Sequence, residues 1–151
     1  MVYLDYEIYK TKYLDLQEQF NEILLEKEFL ITKTMPKAIR YDKDITTTGV
    51  PDDNPLETYV EKLEDSKIDE RLDMIRGLID DRKRLLDLKE IELRASQDKF
   101  DKLYVYRFLN GYGIGRICKL MCYSRSQVYK MLNIIQKKCK MKQNATKCEN
   151  S

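Results

Sequence analysis

The chain has 151 residues, 36% of them charged, with only five glycines and three prolines, and this composition favours long helices over a strand-rich fold. It contains no histidine, the commonest general base and metal ligand, so we expect no catalytic residue, no metal site and no cofactor, and an enzyme is the least expected class. The start of the chain lacks an apolar run long enough for a signal peptide or a membrane span, which indicates a cytoplasmic protein with no membrane partner.

The first thirty residues carry the apolar repeat of a long, paired helix. Positions that advance alternately by four and three form a heptad seam with one polar interruption, and they are Val2, Tyr6, Tyr9, Tyr13, Leu16, Phe20, Ile23, Lys27 and Leu30. Because such a stripe cannot be buried by the helix alone, the helix must pair with another helix of this chain or of a second copy. A single helix that lies on a globular core is an equally good interpretation.

Residues 35–53 contain two of the three prolines and a Thr-Thr-Thr-Gly run, and they predict a loop. Asn54, Pro55 and Glu57 then occupy the N-cap, first and third positions of a helix that should run towards Leu93. Its apolar seam slips in phase near Ser66, as a stutter or a short break, and consists of Leu56, Val60, Leu63, Ile68, Leu72, Ile75, Ile79, Leu86 and Leu93. The region 1–95 therefore predicts a coiled-coil-like antiparallel hairpin that also forms a homodimer.

Residues 96–140 predict a trihelical head. Ser96 or Asp98 caps its first helix, which ends at Asn110 and at Gly111 in the left-handed C-cap position. Two further helices joined by a turn, the pattern of a helix-turn-helix, should bury Ile117, Cys118, Met121, Val128 and either Met131 or Leu132. The alternative is a plain pair of packed helices with a solvated basic side.

The second helix of this pair is predicted to run from Arg125 to about Gln136. Ser124 and Gln127 have the spacing of a capping box, which fixes the helix start at Arg125. Its outer face offers hydrogen-bond donors to DNA bases from Arg125, Ser126, Tyr129, Lys130 and Asn133. Phosphate contacts are expected from Arg116, Lys119, Ser124, Lys137, Lys138 and Lys140.

Charge is strongly polarised along the sequence. From Lys99 onward there are twelve basic residues against two acids, whereas residues 1–98 hold sixteen basic and twenty-four acidic residues. This distribution predicts a C-terminal region that binds a polyanion. The cysteines at 118, 122, 139 and 148 lack the paired spacing of a zinc site, so we expect reduced thiols. We expect the basic tail over 141–151 to be disordered.

The run from Leu103 to Lys130 resembles the C-terminal helix-turn-helix of phage-encoded late-transcription regulators of the ArpU and RinA type, which is similar in turn to the promoter-reading region of bacterial sigma factors. The matching positions are Ile117, Tyr123, Ser124, Val128 and Tyr129. Gly115 and Arg116 replace acids that are usual in the family. Cys122 stands where the family has Gly or Asn in a left-handed turn, so the turn should be strained by about 1 kcal/mol.

The resemblance implies a sequence-specific, double-stranded-DNA-binding regulator of transcription of a phage or mobile element, in the cytoplasm of a bacterial host, with RNA polymerase as a further candidate partner. With the homodimer that the apolar seams predict, this regulator would act as a dimer. Two alternatives from other classes stay open. One is a small terminase-like subunit of DNA packaging, and the other is a helical interaction protein that binds RNA polymerase or another host factor.

Overall fold

The computed structural model describes residues 1–34, 61 and 67–149. They form the helices α1 (Val2–Thr34), α2 (Ile68–Ala95), α3 (Lys99–Tyr104), α4 (Ile114–Met121) and α5 (Arg125–Glu149), and α3 continues directly into a π-helical segment, Val105–Leu109. The predicted all-α class is confirmed, with no strand in the described ranges. Within those same residues, no helix combines the length and the apolar character needed to cross a membrane.

The chain divides into two compact units, and the first contains residues 1–15 and 80–151. Its core draws on every helix and consists of Tyr3, Tyr6, Leu93, Leu103, Tyr104, Val105, Ile117, Val128, Leu132 and Ile135. The predicted burial of Ile117, Val128 and Leu132 is confirmed, while Cys118, Met121 and Met131 pack half-buried around this core. The unit thus combines α3, α4 and α5 with the first part of α1 and the last part of α2.

Tyrosines fill the centre of this first unit. The ring of Tyr3 stacks on that of Tyr104 with centroids 5.5 Å apart, and Tyr6 meets Tyr104 edge-on at 6.0 Å. The hydroxyl of Tyr104 donates a hydrogen bond to the carboxylate of Glu7. Burial, aided by this bond, raises the pKa of Tyr104 above its ordinary value. The start of α1 is therefore part of the core that supports α5.

The second unit contains residues 16–79. Arg76 lies over the ring of Phe20, whereas the later Lys27 pairs with the earlier Asp69, so the rest of α1 and the start of α2 run in opposite directions. Ile23, Ile68 and Leu72 are buried together. Beside them, the Lys27 ammonium lies 2.7 Å from the Asp69 carboxylate. Lys27 was the polar interruption of the predicted seam, and this partner on α2 explains how a lysine is accommodated there.

The predicted seams are confirmed wherever the structure describes them. All nine seam positions of α1 are buried or half-buried, as are those of α2 from Ile68 to Leu93. Lys67, just before α2, has a φ of 50° and is not helical. The phase slip near Ser66 itself lies outside the described residues. The loop at 35–53, the helix start at 54–57 and the seam positions Leu56, Val60 and Leu63 lie outside the described residues, and the complete hairpin stays a prediction.

Three sequence predictions differ from the structure. The compact units do not divide the chain between 95 and 96, because α1 and α2 each contribute to both units. The expectation of a disordered tail from 141 is wrong as far as Glu149, since α5 continues to that residue, and the predicted end at Gln136 is likewise too early. The segment after Gln136 contains no Gly or Pro that would end a helix.

Candidate nucleic-acid interface

A tight turn connects α4 to α5 and fixes where α5 begins. Cys122 ends α4 in the left-handed conformation, with φ 57° and ψ 36°, and its backbone N–H donates to the Cys118 carbonyl. The N–H of Tyr123 also bonds to the Cys118 carbonyl, at 3.2 Å. The predicted left-handed backbone at Cys122 is confirmed. L-residues pay about 1 kcal/mol or more for this conformation, so the turn carries local strain.

The predicted capping box at the start of α5 is confirmed. The backbone N–H of Ser124 donates to Oε1 of Gln127 at 3.1 Å, and the N–H of Gln127 donates to Oγ of Ser124 at 3.3 Å. These reciprocal bonds satisfy donors that the first turn of a helix otherwise leaves without partners. The helix therefore begins at Arg125, as its sequence predicts.

The loop before α4 orders an aromatic side chain beneath a predicted phosphate contact. Gly111 has a φ of 68°, the left-handed conformation expected for it, and the N–H of Tyr112 then bonds to the Tyr106 carbonyl at 2.8 Å. The Arg116 guanidinium lies 3.9 Å from the centroid of the Tyr112 ring. This cation–π contact holds the charge of Arg116 in a defined place at the start of α4.

The base-reading residues predicted on α5 are all exposed to solvent. Tyr129 is 54% exposed, and Val128, one residue earlier, is completely buried. Spacings of three and four place six exposed residues along one side of the helix, which we call the outer stripe: Ser126, Tyr129, Lys130, Asn133, Lys137 and Lys140. Arg125 is exposed in the first turn, beside this stripe.

The other residues predicted to contact phosphates, Lys119, Ser124 and Lys138, differ in their exposure and in their hydrogen bonds. Lys119 is exposed on α4. The Ser124 hydroxyl is engaged in the capping box. Lys138 is half-buried on the side of α5 that carries Met131 and Ile135, and its Nζ lies 3.3 Å from the sulfur of Met1. We therefore leave Lys138 out of the candidate interface.

Few acidic residues lie near the outer stripe in the sequence, although Glu7 of α1 lines a groove together with Lys140. No Asp or Glu occurs between Lys102 and Cys148, and Asp101 is completely buried. Positive charge along α4, and along α5 up to its last residue, Glu149, is therefore not offset by acids on the same helices. This arrangement suits a polyanion such as the phosphate backbone of a nucleic acid.

Sequence reasoning overlooked two lysines of α3. Lys99 and Lys102 line a groove of about 300 Å³ together with Tyr123 of the turn. Lys99 and Tyr123 also line a second groove of about 240 Å³ beside Lys130. Lys99 and Lys102 were visible as basic residues, but no local pattern indicated that α3 packs beside the turn.

Three cysteines lie among the described side chains. Cys118, Cys122 and Cys139 are free, and burial raises the pKa of the Cys139 thiol to about 11, so it is not a nucleophilic thiolate at neutral pH. Among the described side chains, no three His, Cys, Asp or Glu residues group in a way that could hold a metal ion.

Comparisons with protein-family models, with curated proteins and with solved structures each returned no match to this chain. The resemblance to phage late-transcription regulators therefore stays a prediction from the residues.

Proposed function

We propose that this protein binds double-stranded DNA sequence-specifically and reads the major groove with the N-terminal half of α5. The observation that carries the proposal is the outer stripe, which is rich in donors, free of acids and exposed on a helix whose opposite side is anchored in a core. The major groove admits an α-helix and presents a different donor and acceptor pattern for each base pair.

Residues at the start and further along α5 have different roles in this proposal. Arg125 is suited to a bidentate contact with O6 and N7 of guanine, and Asn133 to N6 and N7 of adenine, each worth about 1–3 kcal/mol of discrimination. Lys137 and Lys140 lie about one and two turns beyond Asn133 along the helix, where they would neutralise phosphates without choosing a sequence. Arg116, held over Tyr112, and Lys119 on α4 would add phosphate contacts.

The rigidity of α5 supports base reading over loose electrostatic attraction. Its start is fixed by the capping box, and Val128 and Ile135, both at most 1% exposed, hold its inner side. Hydrogen-bond donors on a rigid helix lose little conformational freedom when they bind a base edge. More of their hydrogen-bond energy therefore contributes to discrimination between bases.

We further propose that two copies associate through the N-terminal helices. In the first unit, α2 leaves Leu85, Leu88 and Ile91 exposed by 40%, 61% and 65%, and in the second unit Met74 and Leu78 are exposed by 66% and 45%. Apolar side chains at helical spacing favour burial against a partner. A dimer would place two reading helices on half-sites about one helical turn, or a multiple of it, apart.

Sedimentation tests the dimer. We expect a dimeric mass for the wild type and a shift towards monomer for L85Q/L88Q, whereas the matched polar pair K83Q/D87Q leaves the mass unchanged. A mass of eight or more copies would instead favour a terminase-like ring, and a monomeric wild type would reject the dimer.

The proposed role is regulation of transcription in a phage or mobile element, within a bacterial cytoplasm. The support for this role is the resemblance of residues 103–130 to phage late-transcription regulators.

Selection of bound duplexes from a random pool, followed by binding measurements at several salt concentrations, tests the DNA-binding proposal. We expect one recovered motif, and a palindrome if the protein binds as a dimer. K137A/K140A should weaken binding and K83A/R84A on α2 should not. Failure to bind any duplex at low salt would reject the proposal and favour an interaction protein whose partner is RNA polymerase or another host factor.

A further inference from the structure

Two grooves on the first unit share lining residues, and one of them reaches the outer stripe at Lys130. The first, of about 300 Å³, has Lys99, Lys102 and Tyr123 among its lining residues. The second, of about 240 Å³, is lined by Lys99, Tyr123, Gln127, Lys130 and Met131. Because Lys99 and Tyr123 line both, the grooves are contiguous, and we call them together the basic groove.

The lining of the basic groove carries positive charge and no acidic side chain. Three lysines line it, and none of its lining residues is acidic. The two acids nearest in sequence do not line it, since Asp101 is fully buried and Oδ2 of Asp98 is inaccessible to solvent. The Lys102 ammonium bonds to the neutral Oε1 of Gln97 at 2.8 Å, so its charge is not neutralised there.

Neutral donors complete the lining. The capping box occupies Oε1 of Gln127, so the two N–H donors on its Nε2 remain for a ligand. Tyr123 adds a half-buried phenol whose hydroxyl group can donate a hydrogen bond. Ammonium, amide and hydroxyl donors around one groove match the chemistry of a phosphodiester, which offers only acceptors and a negative charge.

We propose that the basic groove holds the sugar–phosphate backbone of the DNA strand that borders the major groove read by α5. Lys130 belongs to both the outer stripe and the basic groove, so a strand leaving the stripe at Lys130 meets Lys99 and Lys102 next. This inference rests on the proposed function and extends it to α3. It assigns phosphate binding to Lys99 and Lys102, and it gives the protein a second line of strand contacts away from the base-reading residues.

The test compares K99A/K102A with the wild type on two duplexes of equal length, the one recovered by selection and one of random sequence. Two lost phosphate contacts should make the slope of log affinity against log salt less negative by about 2, with affinity lower by roughly tenfold or more at low salt. Both duplexes should be affected alike, because phosphates carry no sequence information. K99R/K102R should retain wild-type binding, and K83A/R84A on α2 serves as the matched control for lost charge.

The outcomes separate the inference from the proposed function. If the wild type binds the selected duplex but K99A/K102A keeps its salt slope, the inference is overturned and the proposed function stands. If the variant loses affinity only for the selected duplex, the phosphate assignment is wrong. If single-stranded DNA of the same sequence competes as well as the duplex, the groove holds a single strand and the inference is also overturned. If the alanine substitutions disturb α3, the measurement is repeated with K99Q/K102Q, whose side chains are longer. If the wild type binds no duplex at all, both proposals are rejected.

Discussion

The Asp101 carboxylate accepts a hydrogen bond from the backbone N–H of Tyr3 at 3.0 Å, across 98 positions of sequence. Its other oxygen accepts bonds from the N–H of Val2 at 3.2 Å and from the Ser96 hydroxyl at 2.6 Å. A buried carboxylate on α3 thus caps the first turn of α1, where unpaired N–H groups and the helix dipole favour negative charge. This cap ties α1 to the elements that carry the candidate interface.

Asp101→Ala should lower the free energy of unfolding by about 1–3 kcal/mol, because it leaves two backbone donors without their acceptor in a buried place. Asp98→Ala is the matched control. Asp98 precedes α3, but its side chain makes no capping bond and its Oδ2 has no partner, so we expect a change within about 0.5 kcal/mol. Urea unfolding followed by circular dichroism measures both, and equal losses would contradict the capping role.

Cys122→Gly should stabilise the protein by about 0.5–1 kcal/mol, because glycine adopts the left-handed conformation at this position without the clash of a Cβ, although it loses more chain entropy on folding. Cys122→Ala keeps the Cβ and should gain nothing, which makes it the control for loss of the thiol. Thermal unfolding ranks the three proteins. If the glycine variant ranked lowest, the strain assigned to this turn would be absent.

Ser124→Ala should cost about 1 kcal/mol of stability, since the Gln127 N–H loses its acceptor at the start of α5. Ser126→Ala removes an exposed hydroxyl two residues later and should be nearly neutral. Gln127→Glu keeps a side-chain acceptor at the right spacing and should preserve the cap. Denaturant midpoints compare the variants, and a loss in Ser126→Ala as large as in Ser124→Ala would count against the capping box.

Stability should fall as the pH rises above 10. Burial, with negative groups nearby, raises the pKa of Tyr3 from 10.0 to about 12, and burial also raises the pKa of Tyr6. The unfolded chain then loses these protons at a lower pH than the folded protein does. The stabilisation from Tyr3 is therefore complete below pH 10 and is lost between about 10 and 12, with a slope of up to about 1.4 kcal/mol per pH unit, and Tyr6 acts in the same direction.

The variant Tyr3→Phe should weaken this alkaline dependence, whereas Tyr129→Phe, at an exposed position, should leave it unchanged. Urea unfolding between pH 8 and 11 supplies the slopes. A wild-type stability that is flat over this range would show that the buried phenols do not control it.

Arg125→Ala should relax specificity at one base pair, with a loss of about 1–3 kcal/mol on the selected duplex and little on random DNA beyond one lost charge. Lys137→Ala should weaken binding to both duplexes alike and reduce the salt slope by about 1. Competition binding against single-base variants of the selected duplex measures the difference. Equal losses for both variants on both duplexes would remove Arg125 from base reading.

Local signals in the sequence predicted local structure well. Three features depend only on neighbours a few positions away: the capping box, the left-handed residues Gly111 and Cys122, and the heptad seam of α1. A short stretch of sequence therefore contains all the residues that determine each of them. The same reasoning placed the predicted base-reading side chains on the outside of α5.

Contacts across the chain were not predictable in this way. Tyr3 is off the heptad seam and yet fully buried, because the start of α1 packs in the core with Leu103 and Tyr104 of α3 as well as with α2. Lys138 looked like another phosphate contact, but it lies beside Met1. No sequence pattern predicted the π-helical segment Val105–Leu109.

The core that unites Tyr3 with Val128 and Ile135 has a consequence for the order in which the protein takes shape. During synthesis the start of α1 leaves the ribosome long before α5 has been made. Tyr3 and Tyr6 therefore cannot be buried with Val128 and Ile135 until α5 has emerged. Contacts between such distant residues raise the contact order and slow folding. The head should therefore assemble only after translation has passed α5, and a nascent chain halted before Val128 should remain sensitive to protease throughout this unit.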